Sequence, residues 1–362
     1  MSPSRARIVV GLSGGVDSAV AALRLVERGD DVHGLFMANW DDDDGYCTAA
    51  QDFQDARTVA DTLGIPLHRV DFSQQYRERV FAHFLDEYAA GRTPNPDVLC
   101  NREIKFGVCL DHARRLGAAR FATGHYARVV QGERGPELRK GADPARDQSY
   151  FLHALDPAVL GAIEFPIGEM MKDDVRAHAR RAGLAVHDKP DSTGICFIGE
   201  RPFREFLARF IPGAPGPIET PQGERLGTHR GLAYYTLGQR GGLDIGGQAG
   251  HPEGAWYVAH KDTARNALVV VQGHDHPLLL ARTVITGRVH WLGAPPETAI
   301  AATAKVRYRQ PDQTVRITPL ATGGARLEFD LDQRAVTPGQ YAVFYHGTRC
   351  LGGAVIEATI HT

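Results

Sequence analysis

A glycine- and serine-rich segment near the N-terminus has the composition of a phosphate-binding loop. Gly11-Leu-Ser-Gly-Gly-Val-Asp-Ser18, which we call the phosphate loop, follows a short apolar run and opens an amphipathic stretch. At a strand-to-helix junction, backbone N–H groups and the positive end of the helix dipole converge on an anion. The lysine that reaches the β- and γ-phosphates in a Walker A motif is missing. Two hydroxyls, Ser13 and Ser18, and the Asp17 carboxylate instead favour pyrophosphate with Mg²⁺ nearby.

A proline-limited segment further along the chain ends at a cysteine. Thr93-Pro-Asn-Pro-Asp-Val-Leu-Cys100 is rigid because each proline fixes its backbone φ angle, and a helix is predicted to begin near Asn101. A thiol at a helix N-terminus, here with Arg102 and Lys105 close by in sequence, favours its thiolate form. The pattern therefore predicts that Cys100 is a nucleophile.

A second cysteine lies in another turn-rich segment. Cys196 is part of Asp191-Ser-Thr-Gly-Ile-Cys-Phe-Ile-Gly199, which is too polar and glycine-flanked to be a core strand throughout. Five cysteines, an odd number without a C-x-x-C pair, argue against structural zinc and a disulfide framework. We interpret Cys100 and Cys196 as a redox or sulfur-carrying pair. The others are predicted to be buried and inert: Cys47, Cys109 and Cys350.

The composition of the whole chain is that of a soluble, folded protein. Its 362 residues predict two or three domains, and 43% hydrophobic with 23% charged residues is near the globular average. No apolar run is long enough to span a bilayer and residues 1–7 do not look like a signal peptide, so we expect a cytoplasmic protein. The net charge is −2, so nucleic-acid binding must come from local patches.

One basic patch is predicted in the C-terminal part. Lys305, Arg307 and Arg309 alternate along a predicted strand, so three positive charges would share one face toward phosphates. Tyr308 would lie on the other face. The structural alternative is a solvated barrel face.

The elements that position these residues follow from the hydrophobic pattern. Short apolar runs separated by ten to fifteen helical residues predict an α/β doubly wound parallel sheet, which binds ligands at the carboxyl ends of its strands. Residues 211–223, with four prolines and three glycines, indicate a boundary. The last eighty residues contain a series of short strand-like patterns, at the spacing expected for the strands of a small β-barrel. We therefore expect a catalytic domain (1–210), a small central domain (211–280) and a C-terminal β-barrel (281–362).

The phosphate loop resembles the PP-loop of ATP pyrophosphatases, which attack the α-phosphate of ATP, release pyrophosphate and leave an adenylated substrate. The segments Arg92–Asn101 and Asp191–Gly199 are more specific. Together with Ala122-Thr-Gly-His-Tyr126 and Asp147-Gln-Ser-Tyr-Phe-Leu152, they resemble the family of tRNA-specific 2-thiouridylases over nearly the whole chain. Enzymes of this family replace the C2 oxygen of the anticodon wobble uridine with sulfur.

The resemblance implies roles for individual residues. Cys196 would accept sulfur as a persulfide, and Cys100 would help to deliver it and could then close a disulfide with Cys196. Asp97 could act as general acid or base beside the flipped uracil. ATP would be held by Gly11, Leu12, Ser13, Gly14, Gly15, Val16, Asp17, Ser18, Met37 and Gly124. The tRNA anticodon arm would meet Asn95, Pro96, Asp97, His125, Arg146, Asp147, Gln148, Arg307, Tyr308 and Gln340.

The reaction that the resemblance implies has two stages. ATP with Mg²⁺ adenylates the uracil C2 oxygen, and the persulfide sulfur then adds at C2, either directly or after release as hydrosulfide. A cysteine desulfurase or a relay protein would supply the sulfur, and no protein metal site is predicted. The family commonly has lysine at the positions of Ala38 and Arg146.

Three other functions remain open from the residues. Another PP-loop ligase, which adenylates a small carboxylate, would not need the paired cysteines or the β-rich C-terminal part. An ATP-sensing or tRNA-binding module without turnover would not need both thiols. An iron–sulfur enzyme would need more ligands than two cysteines and one carboxylate.

Overall fold

A computed structural model describes residues 6–40, 49–191, 202–248 and 250–360. Cys47 and Cys196 lie outside the described residues. The role of Cys196 therefore stays a prediction.

The N-terminal part is built on a parallel sheet. The strands of this sheet are β1 (Arg7–Gly11), β2 (Asp31–Ala38), β3 (Leu67–Asp71), β4 (Arg120–Ala122) and β7 (Ile163–Glu164). Two further strands, β5 (Ala127–Gly132) and β6 (Gly135–Lys140), form a hairpin outside this sheet. The five-stranded sheet has the order β3-β2-β1-β4-β7. Chain order reverses beside β1, which pairs with β2 on one side and β4 on the other. Ligands of doubly wound sheets bind at such a reversal.

Helices cover both faces of this sheet. They are α1 (Val16–Arg28), α2 (Ala49–Leu63), α3 (Ser73–Tyr76), α4 (Ala82–Ala89), α5 (Pro96–Leu99), α6 (Leu110–Arg115), α7 (Ser149–Leu152), α8 (Lys172–Arg181) and α9 (Phe203–Ala208). Ile8 and Val10 pack with α1, α2 and α8, whereas Val9 packs with the helices of the opposite face. The predicted doubly wound α/β fold is confirmed. Among the described residues, no helix is long and apolar enough to cross a membrane.

Two helices contain π-helical turns. Arg77–Phe81 joins α3 to α4, and Cys100–Cys109 joins α5 to α6. The second run is continuous from Pro96 to Arg115, and we call it the Cys100 helix. Short 3₁₀ segments occupy Pro157–Ala162, Leu232–Tyr234 and Pro277–Leu279.

A small second sheet follows. Its strands are β8 (Gly216–Glu219), β9 (Arg225–His229), β10 (Trp256–Asp262) and β11 (Ala267–Gln272), in the order β10-β11-β8-β9. Ile218, Trp256 and Leu268 belong to a core of its own. The sequence pattern predicts β10 and β11 but not β8 and β9, because these two short strands lie among prolines and glycines.

The C-terminal part closes into the predicted barrel. Its strands are β12 (Leu280–Thr286), β13 (His290–Trp291), β14 (Ile300–Lys305), β15 (Gln313–Pro319), β16 (Ala325–Arg334), β17 (Tyr341–His346) and β18 (Arg349–Ile360). The barrel is closed because β12 pairs with both β16 and β18. The β5–β6 hairpin of the N-terminal part reaches this sheet, where Arg139 pairs with Arg349.

The strand predicted over residues 305–309 is wrong. β14 ends at Lys305, and a turn follows at Tyr308 and Arg309. Lys305 is 8% exposed, and its Nζ lies 3.8 Å from Asp147 and 3.9 Å from Asp312. Alternation alone does not distinguish a solvated cation from one buried against carboxylates, here Asp147 of the N-terminal part and Asp312 of the barrel itself. The predicted three-charge face therefore does not exist.

Candidate functional site

The phosphate loop lies between the carboxyl end of β1 and the start of α1, as predicted. Gly14 has φ +78°, and a Cβ there would lie 2.3 Å from the carbonyl oxygen of Asp52. Ser18 Oγ accepts a hydrogen bond from the Ser13 N–H at 3.1 Å and donates one to the Gly15 carbonyl at 3.0 Å. Within the described chain, no side chain caps α1. The first-turn amides can therefore bind an anion.

Residues from two neighbouring strands flank this loop. A Cβ on Gly124, just after β4, would lie 2.6 Å from the backbone nitrogen of Ser18, so glycine is required there. The Leu12 N–H donates to the Leu35 carbonyl at 2.9 Å and extends the pairing of β1 with β2 into the loop. Met37 follows on β2 and is half-buried. This placement is compatible with the predicted nucleotide contacts of Gly124 and Met37.

A buried lysine supplies the cation that the phosphate loop lacks. Lys172, the first residue of α8, donates to both carboxylate oxygens of Asp17 at 2.7 and 2.9 Å. Its Nζ also lies 2.6 Å from Oδ1 of Asp191, and its side chain is 8% exposed. Tyr126 donates to Asp17 at 2.8 Å; burial and the Asp17 charge raise the pKa of Tyr126, so it remains a donor. Lys172 is not predicted as a site residue by the sequence pattern; the available signal is its place at the start of a predicted helix.

The Asp191 carboxylate contacts three cationic side chains. Its carboxylate accepts hydrogen bonds from Arg146 at 2.7 Å and Arg176 at 3.1 Å, in addition to its contact with Lys172. Burial acts to raise the pKa of Asp191, but the hydrogen bond from Lys172 and the cationic charges lower it on balance. Asp191 therefore stays ionised and connects Lys172 to Arg146.

A second lysine, which the sequence pattern also does not predict as a site residue, contacts the phosphate loop. Lys189 donates to the Gly14 carbonyl at 3.1 Å, to Asp52 at 2.8 Å and to Asp55 at 2.5 Å. Burial acts to lower the pKa of Lys189, but the two carboxylates raise it on balance. The Lys189 ammonium thus links the phosphate loop to α2 by hydrogen bonds.

The Cys100 helix begins earlier than predicted. The Asn95 side chain accepts a hydrogen bond from the Asp97 N–H at 3.2 Å, and Pro96 occupies the first turn. An Asn cap followed by proline is a strong helix start. The predicted start near Asn101 is therefore wrong. Asp97 lies in the first turn and Cys100 one turn further on, so the helix-dipole argument for Cys100 does not hold.

The two predicted catalytic residues of this helix differ in exposure, because Cys100 is buried and Asp97 is partly exposed. Cys100 is 2% exposed and begins the π-helical segment, a feature often found at functional sites. Burial raises the pKa of Asp97, and the charge of Lys105 opposes that shift. The structure thus places an acid and a thiol one turn apart.

His125 connects the phosphate loop to the Cys100 helix. It follows Gly124, is 8% exposed, and its ring centroid lies 5.8 Å from that of Phe106. Its Nδ1 lies 2.7 Å from the hydroxyl of Thr123. Burial, with Lys105, lowers the pKa of His125 well below 6.5, so the ring is neutral. The Cys100 helix therefore contacts, through Phe106, the chain segment directly after β4 that also adjoins the phosphate loop.

The barrel holds the segment that precedes the Cys100 helix. Gln340 Nε2 donates to the carbonyls of Thr93 at 2.8 Å and Pro94 at 3.2 Å. The Thr93 N–H donates to the Pro338 carbonyl at 3.0 Å. The amide nitrogen of Gln340 is thus engaged by the protein, and its contact with tRNA stays a prediction.

The central domain holds the same segment. Lys261 on β10 donates to the Gly91 carbonyl at 3.1 Å. Burial lowers the pKa of Lys261 to about 8. We call the contacts of Gln340, Pro338 and Lys261 with residues 91–94 the loop clamp.

The predicted tRNA contacts near residue 147 differ in accessibility. Asp147 is 4% exposed and accepts hydrogen bonds from the N–H and hydroxyl of Ser149 at 3.1 and 3.0 Å. Gln148 accepts one from the Tyr126 N–H at 3.0 Å. The Arg146 side chain is 45% exposed. Arg146 is thus the residue of this group that can best reach a phosphate.

The barrel places an aromatic side chain beside Arg146. The Tyr308 ring lies 4.3 Å from that of Phe151, and its hydroxyl lies 3.5 Å from the Arg146 carbonyl. Arg309 is exposed next to it. Arg307 is directed inward, where it donates to a barrel carbonyl at 2.6 Å, and burial lowers its pKa.

Three domain-family models match the chain in order. Residues 6–200 match the tRNA methyl transferase HUP domain, residues 204–272 the tRNA methyl transferase PRC-barrel domain and residues 281–356 the Aminomethyltransferase beta-barrel domain. Likeness to solved structures is weaker. A 4-thiouridine synthetase in complex with RNA and bound ATP matches with a TM-score of 0.38 and 18% identity, over 56% of this chain and 50% of its own.

Curated relatives align over nearly the full length. The tRNA-specific 2-thiouridylase MnmA of Chromohalobacter salexigens is 56% identical over 98% of this chain and 93% of its own. That of Alkalilimnicola ehrlichii is 56% identical over 97% of each chain, and that of Marinobacter nauticus 54% identical over 99% of this chain and 93% of its own. Because this similarity spans the phosphate loop, the Cys100 helix and both C-terminal domains, the chain belongs to the family of tRNA-specific 2-thiouridylases.

Proposed function

We propose that this chain replaces the C2 oxygen of the wobble uridine of tRNA with sulfur, driven by ATP. One observation carries the proposal: Gly124 packs against the phosphate loop, and the next residue, His125, packs against Phe106 of the helix that contains Asp97 and Cys100. In this proposal the nucleotide activates the carbonyl oxygen and the thiol takes part in sulfur delivery. The reaction takes place in the cytoplasm, where protein thiols stay reduced.

The first step activates the uracil. Its C2 oxygen attacks the α-phosphorus of ATP, the bond to the bridging oxygen of pyrophosphate breaks, and the base becomes O-adenylated. The phosphate loop and the start of α1 bind the phosphates and stabilise the charge that develops on the departing pyrophosphate. A poor leaving group thereby becomes part of AMP, which is a good one.

Mg²⁺ fits the side chains of the phosphate loop. Asp17, Ser13 and Ser18 offer oxygen ligands, and the Asp17 side chain is 31% exposed. Mg²⁺ is commonly bound by one or two carboxylates together with substrate phosphates. In the described part of the chain no group of three or more His, Cys, Asp or Glu residues could hold a metal ion, so the nucleotide would complete the shell. The ion would neutralise charge on the leaving pyrophosphate.

The second step delivers sulfur from a persulfide on Cys196. The terminal sulfur adds to C2, AMP leaves with the former carbonyl oxygen, and the base stays linked to Cys196 by an S–S bond. The Cys100 thiolate then attacks Sγ of Cys196, which releases the 2-thiouridine and forms a Cys100–Cys196 disulfide. In the other order, Cys100 attacks the persulfide first and releases hydrosulfide, which adds to C2. A thiol reductant reopens the disulfide, and a cysteine desulfurase or relay protein reloads Cys196.

Asp97 acts as general base and then as general acid for the N3 proton of the uracil. The carboxylate accepts the N3 proton as the C2 oxygen attacks phosphorus. It returns the proton to N3 when the attack of Cys100 releases the 2-thiouridine from the S–S bond. Burial raises the pKa of Asp97 above 3.8, and a base works best when its pKa lies near the working pH.

The anticodon arm is held across two domains. Arg146 and Tyr308 adjoin each other from the catalytic domain and the barrel, with Arg309 exposed nearby. We assign residues 1–210 to ATP-dependent catalysis, 211–280 to the central domain and 281–362 to the barrel. The loop clamp connects the second and third domains to the first.

The test is direct thiolation of tRNA. Purified protein, unmodified tRNA, Mg²⁺-ATP and a cysteine desulfurase with cysteine should yield 2-thiouridine at the wobble position, detected by nucleoside mass analysis, with one pyrophosphate per sulfur. Cells that lack the protein should lose this nucleoside. Pyrophosphate release that does not depend on tRNA would favour a small-molecule ligase and contradict the proposal.

A further inference from the structure

We propose that Lys172 is a positioning residue that couples ATP binding at the phosphate loop to tRNA binding at Arg146. The coupling runs through Asp17, Lys172, Asp191 and Arg146, which we call the ion-pair chain. The inference rests on the proposed function, because it takes ATP and tRNA as the two ligands.

The Lys172 ammonium has its full set of partners. An ammonium carries three N–H donors, and those of Lys172 face both oxygens of Asp17 at 2.7 and 2.9 Å and Oδ1 of Asp191 at 2.6 Å. The side chain is 8% exposed, so water has little access to replace a lost partner. A cation that engages Asp17, or a phosphate that engages Lys172, must therefore change how Lys172 is shared between Asp17 and Asp191.

A change in the contact between Lys172 and Asp191 alters how strongly Asp191 holds Arg146. Its two oxygens serve Lys172, Arg176 and Arg146 together. Arg176 is 26% exposed and also donates to a backbone carbonyl at 2.9 Å, whereas Arg146 is 45% exposed. Arg146 is thus the partner that leaves most easily. When Mg²⁺-ATP engages Asp17, Lys172 compensates more of the Asp191 charge, and Arg146 becomes available to a tRNA phosphate.

A backbone link joins the same two ends. The Lys172 N–H donates to Oδ2 of Asp143 at 3.0 Å, and Asp143 is 5% exposed. The other oxygen of Asp143 accepts from the Ala145 N–H at 3.0 Å, and the Arg146 N–H donates to the Asp143 carbonyl at 3.1 Å. The start of α8 and the turn that carries Arg146 therefore share one buried carboxylate.

This arrangement predicts positive coupling. Mg²⁺-ATP should tighten tRNA binding, and tRNA should tighten ATP binding by the same factor, because linkage between two binding sites is reciprocal. We expect a factor of about five or more, the lower end of typical allosteric coupling.

The test is a pair of titrations with the full-length protein. The Kd of fluorescent tRNA is measured with and without Mg²⁺-α,β-methylene-ATP, which cannot release pyrophosphate, and the Kd of the analogue is measured with and without tRNA. The wild type should show one factor in both directions. Lys172→Met should reduce the factor to about one, and Lys172→Arg, which keeps the charge, should retain part of it.

The control lies on the same helix. Arg180 forms an exposed pair with Asp188, so Arg180→Gln should keep the wild-type factor. If Lys172→Met does not fold, as judged by thermal unfolding, Asp191→Asn takes its place with the same expected loss. A Lys172→Met protein with the wild-type factor, or a wild type that binds both ligands independently, would overturn the inference while leaving the proposed function intact. A wild type that does not bind tRNA would overturn the proposed function and the inference together.

Discussion

The phosphate loop and the start of the Cys100 helix are held in place by different parts of the molecule. The phosphate loop is fixed inside the N-terminal domain, by the bonds of Ser18 to Ser13 and Gly15 and by Lys189. The start of the Cys100 helix is fixed from outside, by the loop clamp from the barrel and the central domain.

This difference separates binding of the nucleotide from alignment of the thiol and the base. ATP binding should be a property of the N-terminal domain, whereas thiolation should also depend on residues up to 250 positions away in sequence, such as Gln340 beside Thr93. Substitutions at the thiol end should therefore slow sulfur transfer without weakening the nucleotide site.

The largest expected effect is the loss of thiolation in variants of the two active thiols, Cys196 and Cys100, which should fail at different steps. Cys196→Ser should lose both persulfide loading and thiolation, whereas Cys100→Ser should still load sulfur but fail to pass it on. ATP affinity should stay at the wild-type value in both. Persulfide labelling and nucleoside mass analysis measure the two quantities.

Cys109 is the matched control on the Cys100 helix. It is buried, and burial raises its pKa to about 12, so it stays a thiol. Cys109→Ala should keep loading and transfer. Undiminished persulfide in Cys196→Ser would reverse the assignment of the two active thiols.

The next effect concerns Asp97. Asp97→Asn should slow thiolation about 10²- to 10⁴-fold, the usual contribution of general acid–base catalysis, with little change in ATP or tRNA affinity. The wild-type rate should fall as the pH drops through the raised pKa of Asp97, and the variant should lack that decline. Rate profiles against pH check this, and equal weakening of tRNA binding and of rate would contradict it.

The same residue affects stability with a defined sign. The folded-state pKa of Asp97 lies above its ordinary value of 3.8, so the folded protein holds its proton longer than the unfolded chain. The charged form therefore costs stability as the pH rises from 3.8 through the folded-state pKa. Asp97→Asn should consequently melt higher than the wild type at neutral pH, which thermal unfolding measures.

A smaller effect tests the loop clamp. Gln340→Ala removes both hydrogen bonds to residues 93 and 94 and should slow thiolation roughly 10- to 100-fold through misplacement of the helix start. ATP affinity and the salt dependence of tRNA binding should not change. Weaker tRNA binding without slower conversion of bound tRNA would assign Gln340 to tRNA contact instead.

The smallest effects compare two cations of the barrel. Lys305→Met leaves buried Asp147 without that charge and should lower the free energy of unfolding by roughly 1–3 kcal/mol. Arg309→Ala should change stability by less than about 0.5 kcal/mol but reduce the salt slope of log K for tRNA by about 0.9 or less. Denaturant unfolding and salt titrations separate the two. Equal salt slopes for Arg309→Ala and wild type would remove Arg309 from the tRNA surface.

The parts that sequence predicts well depend on local backbone rules. The phosphate loop, its position after β1 and the helix with Asp17 follow from a glycine-rich turn between an apolar run and an amphipathic stretch. The barrel follows from closely spaced β signals. Neither inference needs knowledge of distant partners.

The parts that sequence misses are long-range. Lys172 meets Asp17 across 155 positions, and Gln340 meets Thr93 across 247. No local pattern specifies such pairs. Lys305 has the spacing of a surface cation, yet the fold buries it against carboxylates. The early start of the Cys100 helix was within reach of local rules, because Asn95 followed by Pro96 is a capping signal.

Activation of the uracil C2 oxygen by ATP can be tested with one isotope measurement. Wobble uridine carrying ¹⁸O at C2 is thiolated in a single turnover, and the AMP is analysed by mass spectrometry. We expect the label to move from the base to the phosphate of AMP, in an amount equal to the 2-thiouridine formed. Asp17→Ala should yield neither product. Unlabelled AMP alongside 2-thiouridine would contradict this activation by ATP.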